Sequence, residues 1–180
     1  MHRPAVLSLA LLVSALTTHA PPWGARDRRI VDTVIVGDAR SEAAHGYLGD
    51  DVRAGTTDGV TYREARGWMR YALTTFDDTE VTVSCTFAAT AGGQSAESAT
   101  DVRRFDLVVE DSVVATQDFA PSAEARTVNV LVPMVLTRGK TNIAIVIRAR
   151  GGATPALREL RTVQDHNEHT PLSYELGATR

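Results

Sequence analysis

Cysteine is nearly absent from this chain: Cys85 stands alone in 180 residues. No disulfide can form within the chain, and a cysteine cage for a metal is excluded. Cys85 falls on the apolar side of an alternating run, which makes it a small buried hydrophobe. Aromatic residues are scarce at 6%, against 43% hydrophobic residues overall, so the core must be built from Val, Ile, Leu and Ala. Basic excess is also missing. The formal charge is −3, which leaves no electrostatic footprint for nucleic acid. Past the N-terminus no apolar run is long enough to span a bilayer. Phosphate-cradling glycine loops, nucleophile elbows and Ser/His/Asp patterns are not found, and there is no internal repeat.

What is present begins at the N-terminus. His2 and Arg3 precede an apolar run over residues 6–16, and Thr18-His19-Ala20 ends it with small residues at the right spacing. This is the layout of a secretory signal peptide over residues 1–20, too short for a membrane span. It predicts an extracellular protein with no membrane attachment after cleavage. Residues 21–29, with two prolines, a glycine and scattered charges, read as a linker.

From residue 30 onward the chain reads as strand after strand. Residues 30–36, 68–73, 80–89, 104–109, 113–119, 126–132, 142–149 and 157–163 carry the signal. Val81, Val83, Cys85 and Phe87 alternate with Glu80, Thr82, Ser84 and Thr86, the period of a half-buried strand. Glu110-Asp111-Ser112 joins two strands as a tight hairpin. No helix is indicated. Residues 37–59 lack periodicity, and a segment of that length without strong structure is functional or disordered. About eight short strands with regular turns predict an all-β, antiparallel β-sandwich of jelly-roll type over residues 30–163. Residues 164–180 read as a loose tail.

The densest chemistry lies between Gly59 and Leu73. Tyr62, Tyr71, Trp68, Arg63, Arg66 and Arg70 crowd into this stretch. Indole and phenol rings offer flat faces with a polar edge, and arginine offers a fixed fork of donors. Sugars use both, through their C–H faces and their hydroxyls. Trp68 and Met69 alternate, so one of them must face the core. Tyr62 precedes the strand in a loop, placed to stack on a ligand. Arg104 and Asp106 share a face by alternation, either pairing with each other or bracing the Arg66 region.

Four segments in order resemble a known family: Glu42-Ala43-Ala44-His45-Gly46-Tyr47, then residues 62–71, then Arg104-Phe105-Asp106-Leu107-Val108-Val109, then Glu159-Leu160-Arg161. Together they resemble the C-terminal β-sandwich domain of bacterial β-L-arabinofuranosidases of glycoside hydrolase families 127 and 146. The likeness spans residues 31–163. Met69 stands where that family usually has an aromatic, and the Glu110 hairpin lacks its glycine. The resemblance implies a non-catalytic, substrate-binding accessory domain. In that family a separate helical barrel with a zinc-bound cysteine does the catalysis, and this chain holds no such barrel. The leader then runs straight into the accessory domain, as in a free-standing secreted form or a fragment that has lost its enzyme.

The expected function is therefore binding of arabinose-containing polysaccharide, with Glu42, His45, Tyr62, Arg63, Arg66 and Trp68 as candidate contacts and no catalytic residues. The alternative is an interaction module that docks onto a separate arabinofuranosidase barrel. A hydrolase acting alone would need two carboxylates facing each other across a sugar bond. The neighbours Asp50-Asp51 and Asp77-Asp78 point apart and do not meet that need by themselves. These pairs offer oxygen atoms to calcium, but the spaced Asp-x-Asp-x-Asp-Gly loop is absent. No cofactor and no metal site are expected. Asp165-His166-Asn167-Glu168-His169 reads as a solvated tail.

Overall fold

The computed structural model describes residues 28–76, 80–89, 102–120, 122 and 124–165. The signal peptide at 1–20, the linker up to residue 27, the Asp77-Asp78 pair and the His166–His169 cluster lie outside the described residues.

Among the described residues nine strands form one continuous antiparallel sheet: β1 (Arg28–Ile35), β2 (Leu48–Thr57), β3 (Val60–Thr74), β4 (Val81–Phe87), β5 (Arg103–Val109), β6 (Ser112–Phe119), β7 (Arg126–Val132), β8 (Asn142–Ala149) and β9 (Leu157–Asp165). The order runs β6-β5-β8-β3-β9-β4-β7, with β2 added on β3 and β1 on β9. The sheet folds over at the β3/β9 junction, where the pairing is the single register point Arg63↔Leu157. This makes two layers, β6-β5-β8-β3-β2 and β1-β9-β4-β7. Phe87 of one layer meets Phe105 and Phe119 of the other, with ring centroids 5.2 and 4.9 Å apart. The fold is an all-β sandwich of jelly-roll type, as the alternation predicted.

The core follows from that alternation. Val81, Val83, Cys85 and Phe87 are buried, as are Ile143, Ile145 and Ile147 on β8. Met69, Tyr71 and Leu73 face inward from β3. Met69 therefore takes the core position and Trp68 the opposite face. Burial pushes the Cys85 thiol up to about 12, which leaves it inert.

Three expectations are corrected here: the lack of regular structure over residues 37–59, the absence of helix, and the loop position of Tyr62. Residues 37–59 are ordered, as a six-residue helix α1 (Ala39–Ala44) followed by β2. Asp38 starts α1 by accepting the Ser41 N–H at 2.7 Å, the usual N-cap arrangement. A second short helix, α2 (Met134–Thr137), follows β7. Tyr62 does not sit in a loop: it lies inside β3, which begins at Val60 and pairs along β2 through an Asp58-Gly59 turn. The β5–β6 hairpin closes without glycine, because Glu110 and Asp111 both adopt left-handed backbone at φ 49° and 64°. Aspartate tolerates that conformation better than most residues.

No helix among the described residues is long and apolar enough to cross a membrane.

Candidate functional site

Strand β3 carries the chemistry and divides it. Arg63, Ala65, Met69 and Tyr71 look toward the interior, while Trp68 and Arg70 look outward. The division is sharpened by a bend. Arg63 and Tyr71 both reach the Glu42 carboxylate, yet eight residues of straight strand would separate their Cα atoms by about 26 Å. β3 must therefore curl, and it does so at the register shift opposite Asp50 and Val52. Gly67 sits in that shift. A Cβ there would lie 2.7 Å from the Asp50 carbonyl oxygen, so no larger residue fits without moving the backbone.

The inward half is a closed polar network. Arg63 donates from Nε and Nη2 to the two Glu42 oxygens, each at 2.6 Å. The Gly37 N–H donates to the same carboxylate at 2.9 Å and the Tyr71 hydroxyl at 3.4 Å. Burial alone would raise the Glu42 pKa, but the Arg63 guanidinium and the Gly37 N–H outweigh it and hold the carboxyl below its ordinary range. The guanidinium also lies over the Tyr47 ring, 4.6 Å from its centroid, and Tyr47 packs on Tyr71 at 5.2 Å.

His45 closes the other end. Its Nδ1 donates to the Ser41 carbonyl at 2.6 Å and its Nε2 meets Asp32 Oδ1 at 3.1 Å. A carbonyl and a carboxylate only accept, so the ring makes both hydrogen bonds at once only in its protonated, imidazolium form. Burial opposes that charge, yet the Ser41 and Asp32 contacts prevail and raise the pKa above its usual value. Asp32 in turn accepts the Thr74 N–H at 2.7 Å and the Thr33 N–H at 2.8 Å. Glu42, His45 and Arg63 thus spend their polar groups on one another and on the backbone. They pin α1 and the start of β2 against β1 and β3.

The outward half is open. Register aligns Asp50, Trp68, Arg148, Asp106 and Thr116 in one row across five strands. Trp68 is half-buried, Arg148 exposed and Asp106 only 3% exposed. Asp106 accepts from Thr116 Oγ1 at 2.7 Å and from Arg148 Nη2 at 3.3 Å, with Arg150 Nε at 3.5 Å. Burial would raise its pKa, but Thr116, Arg148 and Arg150 win and hold it ionised. Arg104 pairs instead with Asp118, at 2.5 Å, so of the two arrangements left open by the sequence the Arg104–Asp106 pair does not form. The reason is the hairpin: Asp118 lies directly across from Arg104 in the β5–β6 register. One residue row further along, Arg70 aligns with Val146 and Val108.

Of the six candidates, the structure gathers Glu42, His45 and Arg63 inside the network. It leaves Arg66 exposed beside the bend, Trp68 on the open face, and Tyr62 on the β2–β3 ribbon. The Tyr62 ring lies over Gly55, where any Cβ would clash with it. Arg148, Arg150 and Asp106 were not singled out together from sequence, because they come from strands far apart in the chain. Among the described residues no group of three or more His, Cys, Asp or Glu is gathered as a metal would need.

The sandwich has counterparts among solved structures. A family 35 carbohydrate-binding module from Clostridium thermocellum matches with TM-score 0.52 at 12% identity, covering 76% of this chain and 97% of its own. Another family 35 module, from an environmental isolate, matches with TM-score 0.51 at 21% identity, covering 69% of this chain and 94% of its own. An exo-β-1,3-galactanase from Phanerochaete chrysosporium matches with TM-score 0.52 at 11% identity over 72% of this chain but 28% of the enzyme. At these identities the likeness is one of fold. These three are two carbohydrate-binding modules and part of a larger galactanase, and the ANX1 ectodomain from Arabidopsis thaliana matches as well, with TM-score 0.54 at 6% identity over 78% of this chain and 50% of its own. No curated protein matches the chain in sequence. Over residues 25–163 the sequence matches the family of unknown function DUF6805, and the chain belongs to that family.

Proposed function

We propose that this protein is a secreted, non-catalytic carbohydrate-binding domain whose ligand is an arabinose-containing polysaccharide. The observation that carries the reading is Trp68. It is a half-buried indole on the outward side of β3, flanked across the strands by Arg148 and Asp50. That combination offers a stacking plane beside hydrogen-bonding groups. The fold shared with carbohydrate-binding modules supports it. The four ordered motifs support arabinose, and the pattern over residues 1–20 supports secretion. Asp106, the buried carboxylate of that face, is kept ionised by its partners, which is the opposite of what a general acid requires.

A second reading is docking onto a separate glycoside hydrolase barrel. The outward side of the other layer favours it, because Ile30, Val163 and Leu131 fall in one row through Thr82, and Ile30 and Leu131 are more than half exposed.

Calorimetry of the protein against arabinan and arabinogalactan tests the first reading. Saturable binding that Trp68→Ala weakens is expected. Indifference of the wild-type protein to every glycan offered would refute it, and co-purification with a barrel enzyme would then favour the second.

A further inference from the structure

We infer that the outward face of the β6-β5-β8-β3-β2 layer takes a glycan bearing uronate carboxylates, not a purely neutral one. This rests on the carbohydrate-binding reading and adds the ligand's charge to it. The argument is one of charge balance on that face. Arg148 and Arg150 stand over a single carboxylate, Asp106, which is buried beneath them. Arg70 lies one row away on the same side of β3, and Glu110, the acidic group nearest to it in effect, is already held by Lys140 at 2.5 Å and by the Ala144 N–H at 2.6 Å. Arg66 is exposed beside the bend. With Asp50 in the Trp68 row, four guanidiniums (Arg148, Arg150, Arg70 and Arg66) stand among three carboxylates (Asp106, Asp50 and Glu110), and Glu110 is held by Lys140, so the named groups keep a cationic surplus although the chain as a whole carries −3.

Geometry makes the excess usable. Arg148 and Arg150 each touch Asp106 through one nitrogen, at 3.3 and 3.5 Å, distances longer than a good charged hydrogen bond. A guanidinium has five N–H donors, and about half of each side chain is exposed, 49% for Arg148 and 54% for Arg150. Asp106 acts as a buried brace that orients the forks and does not neutralise them both. Trp68 is the direct cross-strand neighbour of Arg148, within about 5.5 Å Cα to Cα. A sugar ring stacked on the indole would bring a ring carboxylate within reach of the Arg148 or Arg70 fork, which matches a carboxylate two-to-two. Neutral hydroxyls make no such demand for charge.

The test uses the full chain and polygalacturonate as the acidic probe. Its controls are the same polymer with its carboxyls reduced to alcohols, neutral arabinan, and dextran sulfate as an indifferent polyanion. Polygalacturonate is expected to bind about tenfold or more tightly than its reduced form. Arg70→Gln and Arg148→Gln are each expected to close most of that gap, with the unfolding midpoint followed alongside because Arg70 acts on Glu110 and Arg148 on Asp106. Equal binding of the reduced polymer or of arabinan would overturn the carboxylate inference while leaving carbohydrate binding intact. Equal binding of dextran sulfate, or acidic binding untouched by both arginine variants, would overturn the assignment to this face. No binding to any of the sugars would sink both readings.

Discussion

The two sides of β3 use the same residue types to opposite ends. Inward, Arg63, Tyr71 and Glu42 form a set in which one carboxylate accepts four hydrogen bonds from the protein. Outward, Trp68, Arg148, Arg150 and Asp106 form a set whose guanidiniums are only partly engaged. Arginine, an aromatic ring and an acid are therefore no signature of a binding site by themselves. What separates a brace from a receptor is whether the donors are already spent. A saturated network stabilises and orders the loop it holds, and a partly satisfied one retains capacity for a ligand.

Removing Glu42 should break this contrast most forcefully. Its side chain is 6% exposed and Arg63 is 22% exposed, so Glu42→Ala strands a mostly buried cation. A loss of about 3 kcal/mol is expected in urea unfolding. A loss too small to resolve would mean the network is not structural. Trp68→Ala is expected to do the reverse. Glycan affinity should fall about tenfold, while stability falls by only about 1 kcal/mol. The two variants together form the sharpest version of the comparison, since each should spare what the other damages.

Protonation offers a gentler probe of the inward side. The His45 pKa is raised above 6.5, so its contribution is fully present below that value and is lost as pH climbs through the folded pKa. Asp32 and Glu42 are lowered from 3.8 and 4.5, so theirs is present above those values and is lost as acid passes the folded pKa values. The inward network should be strongest between pH 4.5 and 6.5. In a pH series of unfolding midpoints, the advantage of wild type over His45→Gln should shrink on the alkaline side. An advantage that grows there would contradict the imidazolium assignment. The smallest effect belongs to the Arg104–Asp118 pair. Both side chains are more than half exposed, and Arg104→Ala is expected to leave the unfolding midpoint where it was.

Much of the sandwich could be read from the chain because its strands are half-buried. Residues 126–132 and 142–149 were predicted with the limits that β7 and β8 have, since each alternates strictly against one core. β2 escaped for the opposite reason. It is exposed along nearly its whole length and has no apolar face to betray it. The Asp58-Gly59 pair was the available signal, being a two-residue hairpin turn in its preferred composition. Within residues 59–73 the alternation requires one of Trp68 and Met69 to face the core, and the structure decides which. Met69 and Tyr71 inward dictate Trp68 and Arg70 outward, and a bend at Gly67 lets Arg63 turn back toward Glu42. The partners Arg148 and Asp106 could not be foreseen. They depend on which strands lie side by side, and the β5–β8–β3 order is a tertiary fact with no local trace.

Trp68 reports its own surroundings, which gives the most direct test of the outward face. In a Trp23→Phe protein Trp68 is the remaining tryptophan. Titration with polysaccharide should then shift or quench its emission along the same isotherm that calorimetry records. Heat of binding with no change in that emission would place the ligand elsewhere and contradict the account.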